Sequence, residues 1–337
     1  MSGIALAILA GAAFLVALAA GAHGVRARLD MRRGALVKLA RTRRGRFLDA
    51  GTQRLGPSEG HRVIVRQDGV PVLLEIVARD GDVLVRASAR FVMGRGPVGT
   101  AAPPLLESAL LEPSVWGVDA VRSLGARVLT RYAWTGDDAA LRAPMREALE
   151  NVTDAVLRVP TFRFDGESVE ITHPYGEAMH EDLGPIAEPM ITAAASLARM
   201  GLPRARSVAA SLGAELLLLD QDLDAVVPGV RMGRVLFRFS FVGEPPRVRV
   251  VAAVHYPAAS DFAGEQTARG MSPPLPSSVV DATALPMLAS AGSARLRITA
   301  GRGAELEWSD GPDAARLRAG AHFLEGLAAP LSRGAFR

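Results

Sequence analysis

The chain has 337 residues, with 39 Lys and Arg, 35 Asp and Glu, and no cysteine. The missing thiols exclude disulfides, thiolate metal sites and thiol catalysis. The length suffices for two domains or one large one, and an aromatic content of 5% leaves Ala, Val, Leu and Gly to build the core.

Residues 3–22, GIALAILAGAAFLVALAAGA, contain no charge. At about 1.5 Å rise per residue, such a stretch matches a hydrocarbon core of about 30 Å, which predicts a single transmembrane helix. The alternative is a cleaved leader, since Ala20-Gly21-Ala22 is a small-residue site, but no basic residue precedes the apolar stretch. Nine basic residues then follow in 24–46 (Arg26, Arg28, Arg32, Arg33, Lys38, Arg41, Arg43, Arg44 and Arg46), against the single acid Asp30. By the positive-inside rule they place the C-terminal body in the cytoplasm, as a single-pass protein of the inner membrane. Cleavage would place it in the periplasm instead. Each basic residue close to anionic headgroups is attracted by about 1 kcal/mol, so the bilayer and its headgroups are the first expected partner.

The same segment accounts for the chain's basicity. Without its nine bases and one acid, 30 basic and 34 acidic residues remain, giving residues 47–337 a charge of about −4. A body of that sign lacks the electrostatic footprint of a nucleic-acid binder, so no nucleic-acid partner is expected.

In chain order, 35–44 reads as a short helix stopped by Gly45, and 61–66, 71–77 and 83–91 read as strands. Asp68-Gly69 and Asp80-Gly81 supply type I′ hairpin turns between them. Residues 94–104 form a Gly/Pro-rich connector. Leu141, Met145, Leu149, Val152 and Val156 recur at steps of three and four, the mark of an amphipathic helix over 137–156. Strands at 161–164 and 168–172 flank the Asp165-Gly166 turn, and a helix runs over 177–200, interrupted at Pro185 or Pro189 and ended by Gly201 and Pro203.

A similar order then recurs: a helix over 203–212, strands at 215–219, 235–242 and 247–255, a hairpin at 294–299 and 305–308, and a final helix after Pro312 under an Asp310 cap. Residues 261–284, rich in Pro, Ser and Gly, read as a surface excursion. The expected fold is therefore α+β: antiparallel sheets covered by helices in a duplicated helix, sheet, hairpin and helix unit. The boundaries are 1–23 for the anchor, 24–46 for the basic segment, 47–201 for the first unit and 202–337 for the second.

The sharpest chemical constellation is His173, Glu177 and His180. On a helix, Glu177 and His180 share a face, and His173 from the preceding strand can complete two imidazoles and a carboxylate suited to zinc or ferrous iron. The same residues are the candidate catalytic groups of a membrane-bound metal-dependent hydrolase. Acidic residues at a helix start are, however, better explained by the helix dipole, and no HExxH pattern is present. Gly94-Arg95-Gly96-Pro97-Val98-Gly99 has GxGxxG spacing with Asp119 beyond it, but no helix follows to receive a pyrophosphate. Ser88 with His61 or His255 lacks a nucleophile elbow. His322 reads as a packing or surface residue of the last helix. Trp116, Tyr132 and Trp134 read as core filling rather than as a ligand groove.

Nothing in the sequence calls for a cofactor. The row Gly3, Ala7, Gly11 has the small-residue spacing of a membrane-helix dimer. The leading expectation is a non-enzymatic, membrane-anchored module that binds a protein or a small ligand.

Overall fold

The computed structural model describes residues 3–49, 60–79, 82–96, 98–102, 133–136, 161–242, 247–276 and 284–329, with the side chains of 3–21, 25, 101–102, 133–136 and 177–178 outside that description. The fold is α+β, with two eight-stranded antiparallel sheets and a few helices. The first sheet follows a long helix α1 (Gly3–Thr42) and holds β1 (Arg46–Leu48), β2 (Arg62–Gln67), β3 (Val70–Arg79), β4 (Asp82–Arg90), β5 (Val98–Ala102), β6 (Ala133–Gly136), β7 (Thr161–Asp165) and β8 (Ser168–Pro174). A 3₁₀ turn (Glu177–His180) and helix α2 (Gly184–Ala198) close this half.

The second half opens with α3 (Leu202–Ser211). It continues through β9 (Leu217–Asp222), β10 (Ala225–Met232), β11 (Val235–Val242), β12 (Arg247–Val254), β13 (Phe262–Thr267) and β14 (Gly270–Ser272). Helix α4 (Leu285–Ser290), β15 (Ala294–Thr299), β16 (Gly303–Trp308) and α5 (Ala314–Ala328) complete it. The sheet orders are β1-β2-β3-β4-β8-β7-β5-β6 and β14-β13-β15-β16-β12-β11-β10-β9. Read from β9, the second order is the first one repeated. In each half a helix precedes the first strand, and a closing helix lies on the third, fourth and last strands: α2 on β3, β4 and β8, and α5 on β11, β12 and β16.

Strand alternation explains why one face of each sheet is buried. On β4, Val85, Ala87 and Ala89 point under α2, which meets them with Ala187, Met190, Ile191, Ala194 and Ala198 at helical spacing. On β16, Leu306 and Trp308 point under α5, which presents Leu317, Gly320, Ala321 and Leu324. Each large apolar side chain fully buried in this way contributes about 1.5–3 kcal/mol. Two halves of small aliphatic residues thus share one contiguous core.

Several sequence expectations take a different form. Residues 35–44 are not a separate short helix but the end of α1, closed by Arg44 at φ 51. Among the described residues no helix is long and apolar enough to cross a membrane, so the fold does not support the expected N-terminal membrane helix. The surface excursion at 261–284 contains the paired strands β13 and β14, because Phe262 to Gln266 complete a ladder on β15. The connector after Gly94 leads into β5, between β6 and β7. A strand there confirms that the GxGxxG spacing opens no helix. The helix expected over 177–200 is split, with α2 starting beside Pro185 and carrying Pro189 inside. The cap of α5 is Asp313, whose carboxylate accepts from the Arg316 amide at 2.9 Å, and not Asp310. The Asp80-Gly81 turn, the 137–156 helix, Asp119, Trp116 and Tyr132 lie outside the described residues, as does the side chain of Trp134.

Candidate functional site

The faces of the two sheets not covered by helices are polar, and their charges follow one register. In the first sheet Glu75 on β3 stands opposite Arg86 on β4, and Ser88 opposite Glu170 on β8, which in turn faces Arg163 on β7. Arg86 reaches diagonally to Glu170 at 3.3 Å. In the second sheet Ser240 on β11 stands opposite Arg249 on β12, and Val251 opposite Glu307 on β16, which faces Arg295 on β15. Arg249 reaches diagonally to Glu307 at 2.8 Å. The Arg–Glu–Arg row is the same in both halves, strand for strand.

What differs is the neighbour on the third strand. Glu75 is 2% exposed and takes both Arg86 and Arg62, the latter at 3.4 Å. Burying that carboxylate is tolerable because two guanidinium groups compensate it. In the second sheet the matching residue is Ser240. Val227 lies beside it, two residues before Gly229, which pairs with Arg238. Both are small, neutral and part of the wall of a cavity of about 540 Å3.

This cavity lies between the halves. The end of β4 and the segment after it supply Arg90, Phe91, Val92 and Gly94, and the β7–β8 turn supplies Glu167. The charged floor is Arg238, Arg249, Arg295, Arg297, Glu305 and Glu307. A backbone hydrogen bond from the Phe241 amide to the Met93 carbonyl, 2.8 Å, and ion pairs Arg66–Asp220 (2.6 Å) and Arg90–Asp224 (3.3 Å) fix the walls relative to each other. The two glutamates are already engaged, Glu305 by Arg238 at 3.0 Å and Glu307 by Arg249 at 2.8 Å. Arg295 and Arg297 stand directly opposite these glutamates, with Glu265 on β13 opposite Arg295 on its other side; both arginines are exposed and form no ion pair among the described residues. Alternate residues of one strand, they are separated by about 6.5 Å along the sheet. The described lining contains no histidine, lysine or aspartate.

The sequence-derived candidates lie elsewhere. His173 ends β8 on the helix-covered side, 2% exposed, and its Nδ1 donates to the Pro174 carbonyl at 2.7 Å. His180 is half-buried, with its Nδ1 hydrogen-bonded to the Tyr175 hydroxyl at 3.0 Å and its ring edge-on to that tyrosine. Glu177 opens the 3₁₀ turn. Among the described residues no group of three or more His, Asp or Glu is arranged to hold a metal ion. His61 pairs with Asp49 at 3.2 Å and stacks on Phe47, His255 Nδ1 donates to the Arg302 carbonyl at 3.2 Å, and exposed His322 lies 3.8 Å from Glu325. Ser88 sits on the polar face of β4, in the row already described.

The nine basic residues of 24–46 divide into two sets. Arg33 pairs with Asp49 (2.7 Å), Arg43 with Glu188 (3.1 Å), Lys38 donates to the Glu181 carbonyl (2.8 Å), and Arg32 lies over the Tyr175 ring. Burial pushes the Tyr175 phenol above its usual range, against the opposing pull of Arg32. Arg26, Arg28, Arg41, Arg44 and Arg46 form no side-chain ion pair among the described residues and are exposed. The α1 helix therefore docks through Ala35, Leu36, Leu39 and Ala40, and residues 26–31 stand clear of the body.

With this geometry in view, known proteins offer no further guide. No protein family model, curated protein or solved structure matches the chain.

Proposed function

We propose that the chain is a membrane-tethered, non-enzymatic binding module with its body in the cytoplasm, whose ligand or protein partner is received in the cleft over the second sheet. The observation that carries this reading is the cleft itself, a concave site of about 540 Å3 with walls from both halves. Sites of this size between packed units are the usual place for a ligand. Its described lining offers guanidinium, carboxylate and hydroxyl groups that can hold a ligand by charge and hydrogen bonds.

The tether rests on the sequence, where twenty uncharged residues, 3–22, precede the basic cluster. The exposure of Arg26 and Arg28 on α1, just beyond that stretch, supports a contact with anionic headgroups. The repeated strand order and the repeated Arg–Glu–Arg row support a duplicated origin of the halves, 47–201 and 202–337, with the cavity over the polar face of the second.

Carbonate extraction of membranes tests the tether. The full chain is expected to stay in the pellet, and a variant lacking residues 1–23 to appear in the supernatant. A full chain that washes off with carbonate overturns the reading.

A further inference from the structure

Around the register position of Glu75 the two halves differ in the space they leave, with the ion pair Glu75–Arg62 in the first sheet matched by the small neutral Ser240 and Val227 in the second. In the first sheet the carboxylate of Glu75 occupies the space between β2 and β4 and pairs with Arg62 and Arg86. In the second sheet Ser240 and Val227 stand at the corresponding places and leave that space open as the cavity. Of the two arginines around Glu75, Arg86 is matched by Arg249, whereas Arg62 gives way to Val227. Arg249 and Arg238 have one glutamate each, and those two carboxylates are drawn toward β12 and β11, away from the opposing Arg295 and Arg297.

The cavity floor holds four guanidinium groups against Glu305 and Glu307, and a further glutamate, Glu265 on β13, stands opposite Arg295 on its other side. A guanidinium presents a planar fork of donors that matches an oxyanion through two parallel hydrogen bonds. Two such forks about 6.5 Å apart on one strand face suit two oxyanion groups on one small molecule.

We propose that the cleft binds a small organic molecule bearing carboxylate or phosphate groups, held by Arg295 and Arg297, with Ser240 providing the space that Glu75 fills in the first half. This rests on the binding-module reading and specifies its ligand class. Glu305 and Glu307 keep Arg238 and Arg249 drawn back, which leaves the outer arginines oriented toward the ligand. Glu167, on the opposite wall, lies exposed at the rim.

Isothermal titration of the full chain in detergent tests this, with succinate and inorganic phosphate as the oxyanion probes and succinamide as the neutral match to succinate. Saturable binding of succinate or phosphate is expected, weakened about tenfold or more in R295Q and R297Q and lost in S240E. Arg295 and Arg297 are exposed, so their variants keep the fold and the test stands even if S240E misfolds. Equal binding by wild type and both arginine variants overturns the assignment of those residues. Succinamide binding as tightly as succinate overturns the oxyanion class but leaves the cleft as a site. Absence of binding by both oxyanion probes overturns the inference, whereas the membrane tether fails or stands independently in the carbonate extraction.

Discussion

Arg86 holds Glu75 through two of its nitrogens, Nε at 2.8 Å and Nη2, across the centre of the first sheet. Glu75 is almost wholly buried, and its second partner Arg62 leaves the carboxylate compensated on both sides. Removing it exposes the difference between a buried and a peripheral ion pair. We expect E75A to cost about 3 kcal/mol, because two part-buried guanidinium groups lose their counter-charge. E307A, in the more exposed matching row, is expected to cost no more than about 1 kcal/mol. Urea midpoints of the two variants at constant m-value check the contrast.

The helix α5 approaches β16 so closely that a methyl group on Gly320 would stand 2.6 Å from the Trp308 ring. Intrinsic helix propensity favours Ala over Gly by about 1 kcal/mol, but overpacking a filled core costs about 1–3 kcal/mol. The steric term wins where the neighbour cannot yield. Trp308 cannot yield freely, since its Nε1 donates to the Ala291 carbonyl at 3.0 Å. G320A is therefore expected to lower the melting temperature and alter tryptophan fluorescence; a variant more stable than wild type would contradict this packing.

The start of α5 separates two neighbouring aspartates. Asp313 caps the helix, whereas Asp310 pairs with the Arg316 side chain at 2.8 Å and is about half exposed. D313A is expected to lose about 1 kcal/mol, the usual value of an N-cap. D310A is expected to lose less, because Arg316 also donates to the Ala291 and Ser293 carbonyls. Thermal denaturation of the two variants compares them.

Asp165, in the turn between β7 and β8, gives a pH dependence with a defined sign. Partial burial acts to raise its carboxyl, but hydrogen bonds from the Ser168 amide, the Glu167 amide and the Ser168 hydroxyl prevail and hold it below its ordinary value of 3.8. The folded state therefore binds its proton less readily than the unfolded state. The stabilisation is fully present above the ordinary value and is lost as pH falls through the depressed one. The stability gap between wild type and D165A should be constant near neutrality and narrow in acid. A gap that widens in acid would reverse the assignment.

Much of the fold was legible because local chemistry and tertiary position agree. Asp68 and Gly69 both take positive φ, 49 and 81, as a type I′ turn requires. The strands at 235–242 and 294–299 alternate cleanly, since only one face of each is buried. The strand β10 was not legible, because Pro228 and Gly229 read as breakers. Pro228 is accommodated where β10 meets the edge strand β9, and Gly229 lets Leu219 approach its backbone. The strands β13 and β14 were hidden for a similar reason, with a composition that resembles a loop and a structure imposed by pairing with β15.

The site was less legible than the fold. Its charged floor comes from β11, β12, β15 and β16, whose residues meet only through strand register, which no spacing along the chain reveals. The members of the histidine cluster are close in sequence, yet His173 faces the core and His180 turns to Tyr175. The one sequence clue to the cleft was the internal repeat itself. Comparing its halves points to position 240 once the register is known.

The central claim is a binding body held at the cytoplasmic side of a membrane, and the most direct test is the compartment of that body. Fusions after Arg337 to a reporter active only in the periplasm and to one active only in the cytoplasm would read it. Cytoplasmic activity from a product retained in the membrane pellet is the predicted result. Periplasmic activity would contradict the orientation argument and place the cleft among envelope ligands.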